Sequence, residues 1–132
     1  MNNNENKFSE KSINNLKNIH PDLVQLAFKA LELSTIDFSI TEGVRSIERQ
    51  KQLVKEGKSQ TLNSRHLSGH AIDVFAYPTS SGSWEFKYYQ DIATAFKMAS
   101  ATLDIPVEWG GDWKPFCDGP HFQLPWKKYP LI

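Results

Sequence analysis

The sequence predicts an α+β fold in which a small, mainly antiparallel sheet packs with helices. Helix-spaced apolar stripes lie early and late in the chain, around Leu23–Leu31 and Ile92–Leu103. Short apolar segments with strand character gather mostly in the second half, each bounded by glycine or proline. Helices early and late with short strands gathered in the second half point to this class.

The elements follow in order. Ser9 caps a short helix that buries Ile13 and Leu16. His20-Pro21-Asp22 starts the next, with Pro21 at the first helical position, and Leu23, Leu26, Ala27, Ala30 and Leu31 face inward. Ile36, Phe38 and Ile40 alternate with polar residues, so 35–42 is a strand. Ser46 caps a helix that ends before Gly57 and turns Ile47, Leu53 and Val54 inward. After a polar stretch, 71–77 is a strand closed by Pro78, and 80–83 is a loop. The longest helix covers 88–103, with Ile92, Ala95, Phe96, Ala99 and Leu103 on one stripe. A short strand at 106–109, a turn at Gly110-Gly111 and a last strand at 121–124, ended by Pro125, complete the chain.

The 132 residues are 39% hydrophobic and 23% charged, which suits one folded domain over residues 1–132 with a flexible 1–7. Lys plus Arg and Asp plus Glu are both 15, so no basic field attracts nucleic acid. Lys127-Lys128 is solvated surface. One cysteine, Cys117, rules out an intrachain disulfide. The Asn-rich start lacks the apolar core of a signal peptide, and no apolar run approaches the ~20 residues of a membrane span. The expectation is cytoplasmic synthesis, no stable membrane association and a monomer.

Two segments carry chemistry. In S-R-H-L-S-G-H-A-I-D, Ser64 to Asp73, Gly69 lets the chain turn between His66 and a strand that holds Asp73. Ala71, Asp73 and Phe75 share one strand face. A carboxylate among apolar strand residues is costly to bury without a partner, and a metal ion is such a partner. In W-G-G-D-W-K-P-F-C-D-G-P-H-F-Q-L, Trp109 to Leu124, the Gly119-Pro120 turn folds Asp118 back beside His121. His66, Asp73 and His121 with a fourth position open form a catalytic zinc pattern; calcium or magnesium would want more oxygens. Such a zinc lowers the pKa of a bound water to about 7, and Asp118 is the carboxylate placed to take its proton.

Other readings compete. His66 and His70 are four apart, a metal face on a helix, but Gly69 and the following strand argue against a helix. Cys117 with His121 lacks the orienting third group of a cysteine peptidase, so the thiol belongs to a packed wall. His20 starts a helix. Arg45 is either functional or an ion-pair partner of Glu42 or Glu48. Trp84, Trp109, Trp113 and Trp126 are candidates for a sugar-stacking surface, with Trp109 and Trp113 better read as core or cleft wall.

The pattern S-x-H-x-x-G-x-A-x-D followed by D-x-P-H-F resembles the zinc peptidases that include D-Ala-D-Ala carboxypeptidases and phage L-alanyl-D-glutamate endopeptidases. The resemblance extends over G-V-R-S-I-E-R-Q-K-Q-L and W-G-G-D-W, from about Phe8 to Leu124. It implies zinc on His66, Asp73 and His121, an acid-base carboxylate at Asp118, an assisting arginine at Arg45, and a fold shared with Hedgehog signalling domains. The substrate it implies is the peptidoglycan stem peptide. Whole-chain similarity, small size and the absent signal peptide favour cleavage of L-Ala-D-Glu during host lysis. The alternatives are a D-Ala-D-Ala carboxypeptidase and a non-catalytic, zinc-containing wall-binding module.

Overall fold

The structure is a computed structural model that describes residues 7–59, 61, 64–115 and 117–130. The predicted flexibility of the N-terminus falls almost entirely outside these residues. Four α-helices accompany the sheet: α1 Glu10–Asn15, α2 Pro21–Leu33, α3 Ile47–Lys55 and α4 Phe86–Leu103. The strands are β1 Asp37–Glu42, β2 Ala71–Tyr77, β3 Glu108–Trp109 and β4 His121–Gln123, and they lie in the order β1-β2-β4-β3. All three pairings are antiparallel, as predicted.

The predicted caps hold. Ser9 and Ser46 accept backbone N–H groups at the starts of α1 and α3, and His20 Nδ1 accepts the Asp22 N–H at the start of α2. Tertiary packing overrides two helical stripes. Leu16 is buried but Ile13 is 47% exposed, because α1 is too short to turn both toward the core. On α3, Leu53 is buried as predicted, but Ile47 is 59% exposed and the polar Gln50 is buried in its place.

Leu23, Leu26, Ala27 and Ala30 of α2 meet Ile92, Phe96 and Ala99 of α4 in one cluster with the inner face of the sheet. Ile72, Val74 and Ala76 give β2 its core face, so Asp73, Phe75 and Tyr77 are turned to the opposite face. The register then does two things. It sets His121 directly opposite Asp73 across β2–β4. A bulge between Ile40 and Glu42 sets Glu42 opposite Asp73 on the other side. Bulges beside functional sites re-aim side chains in this way.

Candidate metal centre

Each candidate ligand is fixed by a different local device. His66 lies in a 3₁₀ turn, Arg65–Ser68, whose capping residue Ser64 accepts the His66 N–H at 3.1 Å. Gly69 ends that turn at φ +78°, and a Cβ there would stand 2.5 Å from the Asn18 carbonyl oxygen. This is the glycine the sequence required. Asp73 lies within β2, and His121 opens β4. The Gly119-Pro120 turn closes with the His121 N–H on the Asp118 carbonyl at 3.1 Å.

The three side chains converge. Asp73 Oδ1 is 3.3 Å from His66 Nε2 and 3.3 Å from His121 Nδ1. One ligand atom from each residue lies within 4.8 Å of the others. His66 Nε2 and Asp73 Oδ1 are buried with no hydrogen-bond partner. Buried polar atoms left unpaired are costly and rare, and here two point at one another's space.

The outer partners explain the direction of the ring nitrogens. His66 Nδ1 is 2.8 Å from the Gly43 carbonyl oxygen, which only accepts, so Nδ1 carries the proton and Nε2 presents a lone pair. His121 Nε2 is 2.7 Å from Gln123 Oε1, which leaves the Nδ1 lone pair facing Asp73. Gln123 in turn donates to Glu108 at 2.8 Å. Two imidazoles whose inward nitrogens can present lone pairs, with one carboxylate, are a donor set suited to a divalent metal.

The charges agree. Burial would raise the Asp73 pKa, but the His121 and His66 imidazoles set against it, in their charged form, outweigh that and hold the carboxyl well below the usual range. Burial would lower His121, but the Asp73 carboxylate 3.3 Å from its Nδ1 raises it. Burial and the Asp73 charge push the Asp118 carboxyl up, against His121, His66 and Arg45. Asp118 is half-exposed, with its carboxylate 4.0 Å from His121 Nδ1.

Arg45 is more deeply buried than Asp73, its side chain 8% exposed against 22%. Its Nε and Nη2 donate to the two oxygens of Glu42, and Nη1 donates to Gln50 at 2.6 Å. Nη2 also lies 3.6 Å from Asp73 Oδ2. The ion pair with Glu42, one of the two open readings, is therefore present, and it sets the guanidinium against the Asp73 carboxylate.

The other candidates separate. His70 lies apart from the cluster, with Nδ1 2.7 Å from Ser68 Oγ and its ring near His20 and Tyr129. Cys117 is exposed and lines the cleft beside Asp118, where a packed wall was expected; the short loop after Trp113 carries it to the rim. Trp109 is buried, whereas Trp113 stands over His121 with ring centroids 5.0 Å apart. Trp113, Lys114, Glu108 and Trp126 wall an open cleft of about 1060 Å³ that contains all three candidate ligands.

Sequence reasoning missed four supporting groups: Gly43, Gln50, Gln123 and Arg65. Arg65 is only 2% exposed. It donates to the carbonyls of Leu124, Pro125 and Tyr129 and stacks on Trp126 at 4.1 Å. A charge next to a candidate ligand was its only signal. The partners of Gly43 and Gln123 follow from register, which the sequence does not display.

A family model described as phage L-alanyl-D-glutamate peptidase matches residues 5–124. The chain belongs to this family. The L-alanyl-D-glutamate peptidase of Escherichia phage T5 is 32% identical over 111 residues, covering 81% of each chain. The peptidase of the same name from Listeria phage A118 is 33% identical over 92% of this chain, which spans 43% of that longer protein. The crystal structure of the Serratia marcescens L-Ala D-Glu endopeptidase ChiX superposes with a TM-score of 0.89 at 49% identity, covering 98% of both chains. In this chain His66, Asp73 and His121 converge within the cleft.

Proposed function

We propose that this chain is a zinc peptidase that hydrolyses the L-Ala-D-Glu amide of the peptidoglycan stem peptide, as one catalytic domain acting as a monomer. The observation that carries the metal assignment is the pair of buried, unpartnered atoms, His66 Nε2 and Asp73 Oδ1, facing the Nδ1 of His121. Names of the relatives from phages T5 and A118 and of ChiX supply the bond.

His66, Asp73 and His121 would hold the zinc. When bound, it acts as a Lewis acid on the scissile carbonyl and on the attacking water. Asp118 stands beside the centre with a raised pKa, suited to accept a proton from that water and deliver it to the leaving amine. Gly43 and Gln123 keep the imidazoles in the tautomers that present lone pairs inward. Arg45 steadies Asp73 and places positive charge where the free α-carboxylate of D-Glu would lie beside the scissile amide.

Among the described residues, no helix is long and apolar enough to cross a membrane. The substrate lies outside the cytoplasm, so the proposal includes synthesis in the cytoplasm and action on the wall after release during host lysis. The test of the metal assignment is elemental analysis of the active protein, with removal and return of the ion. One zinc per chain, with activity lost on chelation and regained on zinc addition, is the expected result. Full activity in zinc-free protein would overturn it.

A further inference from the structure

Beyond the metal centre, the outward face of β2 continues as a row of aromatic rings. Phe75 and Tyr77 follow Asp73 at two-residue spacing on that face, their ring centroids 5.0 Å apart. Trp84 adds a third ring, 4.5 Å from Phe75, and is 65% exposed. The backbone that carries it is held in place. The Ser83 N–H donates to the Ala76 carbonyl, and the Tyr89 hydroxyl bridges the Ala76 N–H and the Ser83 carbonyl. Trp84 stacks on the buried Tyr89 with an interplanar angle of 8°. Gly82 lies against the Phe75 ring, where a Cβ would collide. A large ring fixed in solvent is unusual, and such patches mark interaction sites.

We propose that Phe75, Tyr77 and Trp84 form a binding platform for the wall glycan, the amino sugar to which the stem peptide is attached. The proposal rests on the endopeptidase reading, because the chemistry of that substrate fixes the distance. In peptidoglycan, L-Ala is amide-linked to the lactyl group on C3 of muramic acid. The scissile carbonyl carbon is thus six bonds from the sugar ring, about 7 Å when extended. A strand rises about 3.3 Å per residue, so Phe75 stands about 7 Å beyond Asp73 and Tyr77 about 13 Å. A substrate with its L-Ala-D-Glu amide at the metal centre therefore brings its sugar over Phe75 and Trp84, while the remaining peptide runs into the cleft. The C–H face of a pyranose is apolar and slightly positive, which complements the negative face of an indole. Among the sequence's four tryptophans, Trp84 is the one placed for this; Trp109 is buried, and Trp113 and Trp126 wall the cleft.

The test compares an N-acetylated L-Ala-D-Glu stem peptide with the same peptide carried on N-acetylmuramic acid. The natural protein should cut the muramoyl peptide with a kcat/KM about five- to tenfold higher. Trp84→Ala should abolish that preference and leave the rate on the sugar-free peptide unchanged, and Trp84→Phe should retain most of the preference. No preference in the natural protein, or a preference that survives Trp84→Ala, would overturn the platform. If neither peptide is cut, the endopeptidase reading fails, and binding decides the platform alone. Titration with the peptide-free disaccharide N-acetylglucosaminyl-N-acetylmuramic acid should then give a saturable change in tryptophan fluorescence that Trp84→Ala removes, and its absence would overturn the proposal.

Discussion

The side-chain carbonyl of Gln123 lies 2.7 Å from His121 Nε2, two residues along the same strand. Because residues i and i+2 share a strand face, Gln123 reaches the outer nitrogen of His121 and fixes which nitrogen keeps its lone pair. Glu108, paired with Gln123 across β3–β4, holds the amide of Gln123 in that orientation. Gln123→Leu should therefore lower zinc affinity about 10- to 100-fold while the fold survives. Chelator competition measures the affinity, and an unchanged value would remove Gln123 from the positioning of His121.

Asp118 is the group that accepts a proton in this account. Asp118→Asn should retain zinc and fold but lose turnover by about 10²- to 10⁴-fold. The expected signature is full metal occupancy with a collapsed kcat. Near-normal turnover in a zinc-loaded variant would move the role to another carboxylate, with Glu108 the first to examine.

Arg45→Lys keeps the charge but cannot reproduce the two-pronged contact with Glu42. Its rate should fall at least tenfold, with folding intact by circular dichroism. The natural protein should also cut a peptide with a free D-Glu α-carboxylate faster than the amidated form. Equal rates on the two would confine Arg45 to steadying Asp73.

The ligand cluster also makes stability depend on pH in opposite ways with and without metal. In the metal-free protein Asp73 has a lowered pKa and His121 a raised one, each through the other. The Asp73 contribution is present above the ordinary aspartate value and is lost only in strong acid. The His121 contribution is full below the ordinary histidine value and is lost as pH rises through its raised folded value. Metal-free protein should thus be favoured from about pH 4 to about pH 6.5 and weaken above that. Zinc requires unprotonated ligands, so its stabilisation should grow over the same rise. Melting temperatures of both forms from pH 5 to about pH 8 check this; parallel curves would contradict it.

The candidate ligands were legible in the sequence because metal chemistry needs particular residue types, and Gly69 and the Gly119-Pro120 turn announced how the chain brings them together. The amphipathic stripes of α2 and α4 were legible for the same reason: their buried faces run over several turns. Ile13 and Ile47 were not, since α1 and α3 are short and tertiary packing decides which side turns inward. Arg45 left two readings because both Glu42 and Asp73 lie beside it only after the bulge in β1 has formed. Arg65 was silent. Its acceptors come from Leu124, Pro125 and Tyr129, about sixty residues away.

The central claim is that the His66, Asp73 and His121 centre cuts one amide, the bond between L-Ala and D-Glu. Purified peptidoglycan incubated with the protein, followed by mass spectrometric identification of the new amino termini, tests it most directly. The account predicts new termini on D-Glu, and none when His66→Ala or His121→Ala replaces the natural protein. Release of free D-Ala with the L-Ala-D-Glu bond intact, or no new termini with a zinc-loaded protein, would contradict it.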